Sequence, residues 1–341
     1  MTRPVVGIGE LLWDVFPDGR RVAGGAPFNF AFHCRQLGHA GTVVSRVGDD
    51  ALGRELRDEV RRLGLTDEFI QTDPERPTGT VQVTLDAAGV PAYRITEGVA
   101  WDAIAWDEPT ARLMYDAAAV CFGSLVQREV TSRETVYRLL ANVYGFVGEG
   151  RPLDLFPWAE ADHAAGAAGP RKLVVFDVNL RQHYYDRETL RRGLREANWC
   201  KLNDEELALL VGLFDLDGAT DSAALDALRR LDHAGKDTIC LTRGASGATV
   251  RRVWWEEMPD DCTDVRREVE CDEPAPPADV IDTVGAGDAF TAAMVCLHLE
   301  GRPLRDCLRF ALHYAARVCE HRGATPRIDR AEVERAALGT P

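Results

Sequence analysis

The strongest constraint on this chain is a glycine-rich junction at residues 282–288, which read DTVGAGD. Residues 289–300 follow without a proline or glycine, are rich in apolar residues, and predict a helix of about three turns. Gly285 and Gly287 allow successive backbone N–H groups to point into one concavity, and the first turn of the helix adds further unpaired donors. Because the helix dipole places partial positive charge at the same point, the junction is typical of an anion-binding site.

Asp288 is the unusual residue at this junction. An acidic side chain at a helix start often serves only as a cap. A carboxylate beside an anion pocket can also take a proton from an attacking hydroxyl group. The concentration of small residues favours an anion cradle, but the junction by itself leaves both interpretations open.

A second pair of glycines precedes a helix near the N-terminus. Gly24 and Gly25 lead into a helix that extends over 32–38, and Asn29 falls in its first turns. Adjacent glycines indicate close approach of the backbone to another group, and a tight turn explains them equally well. Upstream, Asp14 lies in an otherwise apolar strand-like segment, and a buried carboxylate there needs a partner or a ligand.

Between these junctions, buried strands alternate with helices, which predicts an α/β fold with a mostly parallel sheet. Polar residues occur at Asp177, Asn179 and Arg181, at the carboxyl end of a predicted strand. Ligands bind at this end of the strands in parallel sheets. A polar edge strand is the alternative interpretation.

Two further motifs each allow a structural and a functional interpretation. Asn203 and Glu206 have the spacing of a helix capping box, and the same pair also suits a hydrated Mg²⁺ ion. Thr242 precedes Gly244 and Gly247, which favours backbone contact with a phosphate or ribose. A plain hairpin is the competing explanation.

A change to strict alternation predicts a small separate sheet. Residues 78–97 have the pattern of a β-hairpin, which can pair with strand-like segments within 10–23. We interpret this sheet as a lid inserted in a single domain that spans residues 1–341. Residues 145–171 are interpreted as a surface loop. Residues 252–279 are interpreted as a β-excursion plus loop, in which only the last few residues return to a strand pattern.

Composition argues against several classes of partner. The formal net charge of −15 argues against nucleic acid and anionic membranes, so an anionic ligand has to be held by local groups. The sequence has no run of eighteen apolar residues and no signal-like N-terminus, and we expect a cytoplasmic protein. The nine cysteines lack zinc-ligand and C-x-x-C spacings and are expected to be reduced core residues.

Together these motifs resemble the ribokinase-like (PfkB) family of carbohydrate kinases. Residues 282–288 fit the family's D-T-x-G-A-G-D signature, residues 24–31 fit its N-terminal signature, and residues 203–206 fit its N-x-x-E element. Residues 242–247 fit the nucleotide-loop pattern, and the resemblance extends over residues 7–325. It implies a three-layer α/β/α fold with a small β-sheet lid.

The resemblance also implies ATP-dependent phosphorylation of a sugar hydroxyl. Asp288 would be the general base, and Gly285, Ala286 and Gly287 would offer N–H groups to the migrating γ-phosphate.

The other motif residues would bind the substrates and cations. The sugar would be bound by Asp14, Gly24, Gly25, Asn29 and Arg181. The nucleotide would be lined by Asn203, Thr242, Gly244 and Gly247. Glu206, together with Asn203, would organise Mg²⁺ through water. Backbone oxygens of Asp282 and Val284 would hold a monovalent cation such as K⁺, if the chain retains that site.

Within the family, residues 9–14 (GELLWD) and 99–104 (VAWDAI) look most similar to bacterial fructokinases, so fructose is the expected acceptor. A 2-keto-3-deoxygluconate kinase is an alternative, but it needs positive charge for the substrate carboxylate, and the hairpin offers only Arg94. Ribokinases, nucleoside kinases and a catalytically silent sugar- or nucleotide-binding regulator are further alternatives. The small sheet often forms the dimer interface in this family, which suggests a homodimer through the lid.

Overall fold

The protein is described by a computed structural model over residues 3–85, 91–144, 172–231, 237–257 and 264–339. The strands are β1 (Pro4–Ile8), β2 (Leu12–Val15), β3 (Arg21–Gly24), β4 (Ala40–Gly48), β5 (Ile70–Asp73), β6 (Gly79–Leu85), β7 (Pro91–Ile95), β8 (Ala119–Gly123), β9 (Leu173–Asp177), β10 (Trp199–Asn203), β11 (Thr238–Thr242), β12 (Ala248–Glu257) and β13 (Asp264–Glu273). The helices are α1 (Ala26–Gln36), α2 (Ala51–Arg62), α3 (Glu108–Asp116), α4 (Val130–Val143), α5 (Arg187–Glu196), α6 (Asp204–Phe214), α7 (Asp221–Arg230), α8 (Ala286–Leu299), α9 (Leu304–Cys319) and α10 (Arg330–Leu338).

Among the described residues, nine strands form one sheet in the order β13-β12-β11-β10-β9-β8-β1-β4-β5. The strands from β11 to β5 run parallel to their neighbours, whereas β12 and β13 are added antiparallel at one edge. The mostly parallel sheet expected from the sequence is therefore confirmed. Because the parallel strands all end at one edge, side chains from distant parts of the chain can meet there.

Side chains on the strands alternate between the two faces of the sheet, and each face is covered by helices. Val174 and Phe176 of β9 belong to an apolar cluster with helices α3 to α7. Leu173 and Val175 belong to a second cluster with α1, α8, α9 and α10. A third cluster joins α2 to α1. The expected three-layer α/β/α arrangement is confirmed, and both faces of the strands are apolar, as buried parallel strands require.

A second, smaller sheet has the order β3-β2-β6-β7. Its strands come from the two segments expected to form the lid, and β3 ends at Gly24, one residue beyond the expected boundary. Leu12, Val81 and Ile95 share one face of this sheet and pack with Trp101. The small sheet is confirmed; its action as a lid and the single-domain boundaries stay predictions.

Residues 252–279 differ from what the sequence suggested. Strand β12 continues to Glu257 and pairs over its whole length with β13, so strand structure resumes at residue 264 and not only in the last few residues. The outer strands carry charged side chains that pair with each other, such as Arg251 with Glu268 and Glu270. Charge of this kind protects an edge from pairing with another chain, and it also hides the apolar alternation by which strands are recognised.

The predicted surface loop at 145–171 lies outside the described residues. Within the described ranges, no helix combines the length and the apolarity needed to cross a bilayer. None of the eight cysteines in these ranges forms a disulfide; seven of them are buried and Cys319 is partly exposed.

A buried ion pair anchors the return from the small sheet to the main sheet. Arg128 donates from Nε and Nη2 to both carboxylate oxygens of Asp102, at 2.7 and 2.8 Å, and Nη2 also donates to the carbonyl of Thr96, next to β7, at 2.7 Å. Its guanidinium lies 4.0 Å from the ring centroid of Trp101 and 4.8 Å from that of Tyr184. This bidentate, stacked geometry suits an arginine and not a lysine.

Replacing Arg128 by methionine should lower the free energy of unfolding by about 3–5 kcal/mol, because it leaves the Asp102 carboxylate buried without its partner. Urea unfolding followed by circular dichroism measures this change. The matched control is Arg62→Met, which removes an exposed pair with Glu59 and should change stability by less than about 0.5 kcal/mol. Equal losses in the two variants would contradict the anchoring role.

Candidate active site

The carboxyl ends of the parallel strands bring several predicted site residues to one edge. The Cα register places Gly123 beside Asp177, Asp177 beside Lys201, and Asn203 beside Thr242. These residues come from four consecutive strands of the sheet, β8 to β11, although more than a hundred residues of sequence separate the first from the last. The polar-edge-strand interpretation of Asp177 is wrong, because β9 is an interior strand.

The glycine-rich junction forms a tight turn that enters α8. Gly285 is the residue before the helix, and its φ of 80° lies in the left-handed region that favours glycine. A Cβ atom at this position would lie 2.6 Å from both Cα and Cβ of Ala324. The start of α8 is therefore fixed by direct backbone packing against the chain after α9.

The amides of this turn fall into two groups. The N–H of Ala286, expected to bind an anion, donates to the carbonyl of Thr283 at 3.2 Å. Among the described residues, the N–H groups of Gly285, Gly287 and Asp288 have no hydrogen-bond acceptor. The turn uses one amide for its own geometry and leaves three donors for a ligand at the positive end of the helix dipole.

Asp288 lies in the first turn of α8 and is 8% exposed. Asn29 Nδ2 donates to its Oδ2 at 2.8 Å, which joins the two glycine-containing junctions that the sequence presents separately. Burial, followed by the charge of Asp177, raises the pKa of Asp288 to about 6, against the opposing effects of Asn29, Arg181 and Lys201. Such a carboxyl group is ionised at neutral pH and basic enough to accept a proton, as a general base requires.

Asp288 also lines a cavity at this edge of the sheet, together with residues of α1, β8 and α8 and the end of β9. Pro27, Cys121, Asp177 and Asn179 are among the other lining residues. The carboxylate singled out by the sequence is thus beside a cavity and does not act as an N-terminal cap, since its helix has no side-chain cap.

A buried ion pair lies next to Asp288. Lys201 Nζ is 3.2 Å from Asp177 Oδ1, and Thr291 Oγ1 donates to Asp177 Oδ2 at 3.0 Å. Burial alone would lower the pKa of Lys201, but the carboxylates of Asp177, Glu206 and Asp288 raise it, so the ammonium stays charged. Lys201 and Thr291 are absent from the site predicted by sequence; the available signal was a lysine inside an apolar strand.

The paired glycines near the N-terminus are explained by close approach of two backbone segments. Gly25 has a φ of 118°, and a Cβ atom there would lie 2.2 Å from the carbonyl oxygen of Glu10. A Cβ atom at Gly24 would lie 2.8 Å from Asp14 Oδ2. The N–H of Ala26 donates to Glu10 Oε1 at 3.2 Å. The Asp14 carboxylate therefore lies against the backbone of this glycine loop, just before the helix that carries Asn29.

Two carboxyl groups beside this loop have altered acidity. Burial raises the pKa of Glu10 to about 7 and that of Asp14 to about 6, and the charge of Arg181 lowers both. The Arg181 side chain is exposed and has no hydrogen-bond or ion-pair partner among the described residues. It is therefore available to a ligand. Glu10 was not predicted as a site residue, although its acidic side chain precedes an apolar run.

Asn203 and Glu206 form the expected capping box at the start of α6. The N–H of Glu206 donates to Asn203 Oδ1 and the N–H of Asn203 donates to Glu206 Oε2, both at 2.8 Å. The N–H of Leu180 donates to Glu206 Oε1 at 2.9 Å. Each carboxylate oxygen keeps a lone pair, so the pair fits Mg²⁺ held through water. In the described parts of the chain, no cluster of three His, Cys, Asp or Glu residues is suited to a metal.

The predicted nucleotide loop lies beside this capping box, at the turn between β11 and β12. Thr242 Oγ1 donates to the carbonyl of Leu202 at 3.3 Å. A Cβ atom at Gly247 would lie 2.1 Å from the carbonyl oxygen of Glu273, so the hairpin with β13 requires this glycine. At Gly244 no atom of the described residues lies within 4 Å of a Cβ position, which leaves space there for a ligand.

The loop before α8 is held by the Asp282 side chain. Its Oδ1 accepts from the N–H of Val284 at 3.1 Å and its Oδ2 accepts from the N–H of Gly323 at 2.9 Å. No donor within the described residues reaches the backbone carbonyl oxygens of Asp282 or Val284. These two oxygens are therefore available to a cation, and the monovalent-cation site that the resemblance implies stays a prediction.

Comparison with known proteins gives the family of the chain. The profile of the pfkB family carbohydrate kinases matches residues 15–330. An uncharacterized sugar kinase of Pyrococcus horikoshii is 28% identical over 340 residues, which cover 95% of this chain and 93% of that protein. The crystal structure of that kinase in complex with ATP has a TM-score of 0.70 and 25% identity over 96% of each chain.

One further relative was found by sequence, and one solved structure shares the fold. A fructokinase of Klebsiella pneumoniae is 28% identical over 301 residues, which cover 84% of this chain and 82% of that protein. The ribokinase of Arabidopsis thaliana, solved with ribose and ATP, has a TM-score of 0.74 and 20% identity over 99% of each chain. The expected ribokinase-like fold is confirmed.

The raised pKa of Asp288 predicts a pH-dependent gain in stability for Asp288→Asn. Between pH 3.8 and about 6 the folded protein keeps a proton that the unfolded chain releases, so the free energy of unfolding falls as pH rises, by about 2–3 kcal/mol in total. Asparagine avoids this loss and can still accept the hydrogen bond from Asn29. We expect the variant to exceed the wild type in stability at pH 8, with a much smaller difference at pH 4.

Urea unfolding at both pH values measures this gain. The control is Asp58→Asn on the exposed side of α2, which should leave the wild-type pH dependence unchanged. A gain of the same size at pH 4 and pH 8 would show that the charge of Asp288 is not responsible.

Proposed function

Because the chain belongs to the pfkB family of carbohydrate kinases, we propose that it transfers the γ-phosphate of ATP to a hydroxyl group of fructose. The observation that carries the proposal is the bond from Asn29 to Asp288 at 2.8 Å. This bond joins the expected sugar-binding helix to a buried carboxylate at the mouth of α8, where amides without acceptors lie. The expected sugar-binding residue, a possible general base and an anion-binding site thereby lie together at the N-terminus of α8.

In the proposed reaction, Asp288 accepts the proton of the sugar hydroxyl as the hydroxyl oxygen attacks the γ-phosphorus. The new P–O bond forms as the bond to the leaving ADP oxygen breaks. The N–H groups of Gly285, Gly287 and Asp288 stabilise the negative charge on the transferring group. Asn29 orients the carboxylate and, with Asp14, Gly24, Gly25 and Arg181, holds the sugar.

The other motif residues act on the nucleotide and its cations. Thr242, Gly244 and Gly247 line the nucleotide, and Asn203 and Glu206 would hold Mg²⁺ through water. When bound with ATP, Mg²⁺ would neutralise the charge of the phosphate oxygens. The free carbonyl oxygens of Asp282 and Val284 would bind a monovalent cation such as K⁺.

Fructose is favoured over a sugar acid by the orientation of the small sheet. Tyr93 lies opposite Val83 and shares the sheet face that carries Asp14, whereas Arg94 lies opposite Gln82 and belongs to the other face. The hairpin therefore adds no second cation to Arg181 for binding a substrate carboxylate. The similarity to the Klebsiella pneumoniae fructokinase supports the same choice.

The small sheet is proposed to act as a lid that excludes water during transfer. Two contacts support this role, because they join the end of β7 to the loop after Arg181. Gln182 Nε2 donates to the carbonyl of Tyr93 at 2.6 Å, and the Tyr184 hydroxyl donates to Glu97 Oε1 at 2.8 Å. A homodimer through this sheet and a cytoplasmic location complete the proposal.

A coupled ADP-release assay with fructose, ribose, 2-keto-3-deoxygluconate and nucleosides tests the activity. We expect turnover with fructose, and we expect Asp288→Asn to lower kcat by about 100- to 10,000-fold, as loss of a general base does, while ATP still binds. Turnover with another acceptor alone would exclude fructose. Absence of turnover with every acceptor would identify a silent binding protein, and full activity of the variant would exclude Asp288 as the base.

Asp14→Asn tests the sugar site separately from the nucleotide site. Loss of a hydrogen bond to a charged group should raise KM for fructose by about tenfold or more, while KM for ATP changes by less than about twofold. The matched control is Asp18→Asn in the exposed turn between β2 and β3, which should behave as wild type. Equal changes in the two KM values would remove Asp14 from the sugar site.

A further inference from the structure

Lys201 occupies a position that the proposed reaction leaves without a role. It lies on β10 with 7% of its surface exposed. Trp199, two residues earlier on the same strand face, packs in the apolar cluster that contains α8. The Lys201 side chain is therefore directed at α8, and its ammonium group pairs with Asp177 at 3.2 Å.

The ammonium lies directly against the first turn of α8. A Cβ atom at Gly287 would lie 3.1 Å from Lys201 Nζ, closer than ordinary van der Waals contact. One turn further along, Thr291 bridges from its own helix to Asp177, donating to Oδ2 at 3.0 Å while it also lies 3.0 Å from the carbonyl oxygen of Gly287. The ion pair of Lys201 and Asp177 thus lies directly beneath the N-terminal turn of α8.

The charges of Lys201 and Asp177 affect the neighbouring carboxyl group of Asp288. Asp177 and Asp288 are both buried carboxylates, and two such groups at close range cannot both ionise readily unless a positive charge lies nearby. Lys201 supplies that charge from beneath the helix. Arg181 has the larger effect of the two cations on the pKa of Asp288, but its side chain is exposed to solvent, so salt screens its charge. The charge of the buried Lys201 is screened much less.

We propose that Lys201 is a positioning residue for phosphoryl transfer, which neutralises Asp177 and thereby keeps Asp288 in the carboxylate form beneath the anion-binding turn. This inference rests on the proposed function for its catalytic meaning. The charge coupling itself is a property of the folded chain and is measured without any substrate.

Titration of Asp288 distinguishes this role from that of a purely structural ion pair. Nuclear magnetic resonance of the protein labelled with ¹³C at the aspartate carboxyl groups gives the pKa of Asp288, assigned by the signal that Asp288→Asn removes. Lys201→Met should raise this pKa by about one unit or more, and Asp177→Asn should lower it by a similar amount. The double variant should return close to the wild-type value, because both charges are then absent.

Four other groups also interact with Asp288, and the titration experiment has to separate their effects from that of Lys201. They are Asn29 from α1, Glu10 after β1, Cys121 from β8 and Arg181 after β9. Glu10 titrates near the same pH, since burial raises its pKa to about 7. The assigned carbon signal separates the two groups, and the series is repeated in a Glu10→Gln background, where the shifts should persist.

The acid limb of the pH profile of kcat/KM provides the catalytic readout. This limb should move to higher pH in Lys201→Met, to lower pH in Asp177→Asn, and back to the wild-type pH in the double variant. Lys201→Arg keeps the charge, so its acid limb should stay near that of the wild type. Carbon shifts as expected without turnover on any acceptor would reject the proposed function and keep the charge coupling. An Asp288 pKa that is the same in all folded variants would overturn the inference. If Lys201→Met does not fold, Asp177→Asn is compared with the double variant, in which the pKa of Asp288 should be higher because the Lys201 charge is absent; equal values would overturn the inference.

Discussion

The structure depends on a carboxylate buried under the N-terminus of a helix. Asp288 loses its hydration on folding, and Asp177 adds a repulsive charge. The hydrogen bond from Asn29 and the positive end of the α8 dipole stabilise the carboxylate. They can do so only if α8 begins at one defined residue, so that Asp288 lies in its first turn. The contact of Gly285 with Ala324, which leaves no space for a side chain, sets that residue.

His33 connects this helix start to the core. Its Nε2 lies 2.9 Å from the carbonyl oxygen of Ala324 and its Nδ1 lies 3.1 Å from the hydroxyl of Tyr314. Since a carbonyl only accepts, Nε2 carries the proton and Nδ1 accepts from the tyrosine. Burial lowers the pKa of His33 to about 4, so this tautomer persists at neutral pH. His33 and Asn29 lie one turn apart on α1, so a single helix fixes both the Asp288 carboxylate and the segment on which Gly285 rests.

The parts of the site that could be predicted are those that local chemistry determines. Gly285 and Gly25 need positive φ values, and Asn203 with Glu206 forms a capping box within four residues, so each is visible in a short stretch of sequence. The pair of Lys201 and Asp177 is not visible in this way, because it depends on the register between β9 and β10. The sequence reveals the β12–β13 hairpin only in part, because β13 is largely exposed and carries charged residues where a buried strand would carry apolar ones.

The electrostatic balance of the site explains why backbone amides have such a large part in it. The chain carries a net charge of −15, and Glu10, Asp14, Asp177, Glu206 and Asp288 add carboxyl groups at the very edge where a nucleotide would bring further negative charge. A buried positive side chain in the same space pairs with a carboxylate, as Lys201 does with Asp177. Amide dipoles cannot be neutralised by proton transfer or by forming an ion pair, so they remain able to attract phosphate beside these carboxylates. In an acidic site, neutral donors of this kind can hold an anion without forming an ion pair with the base.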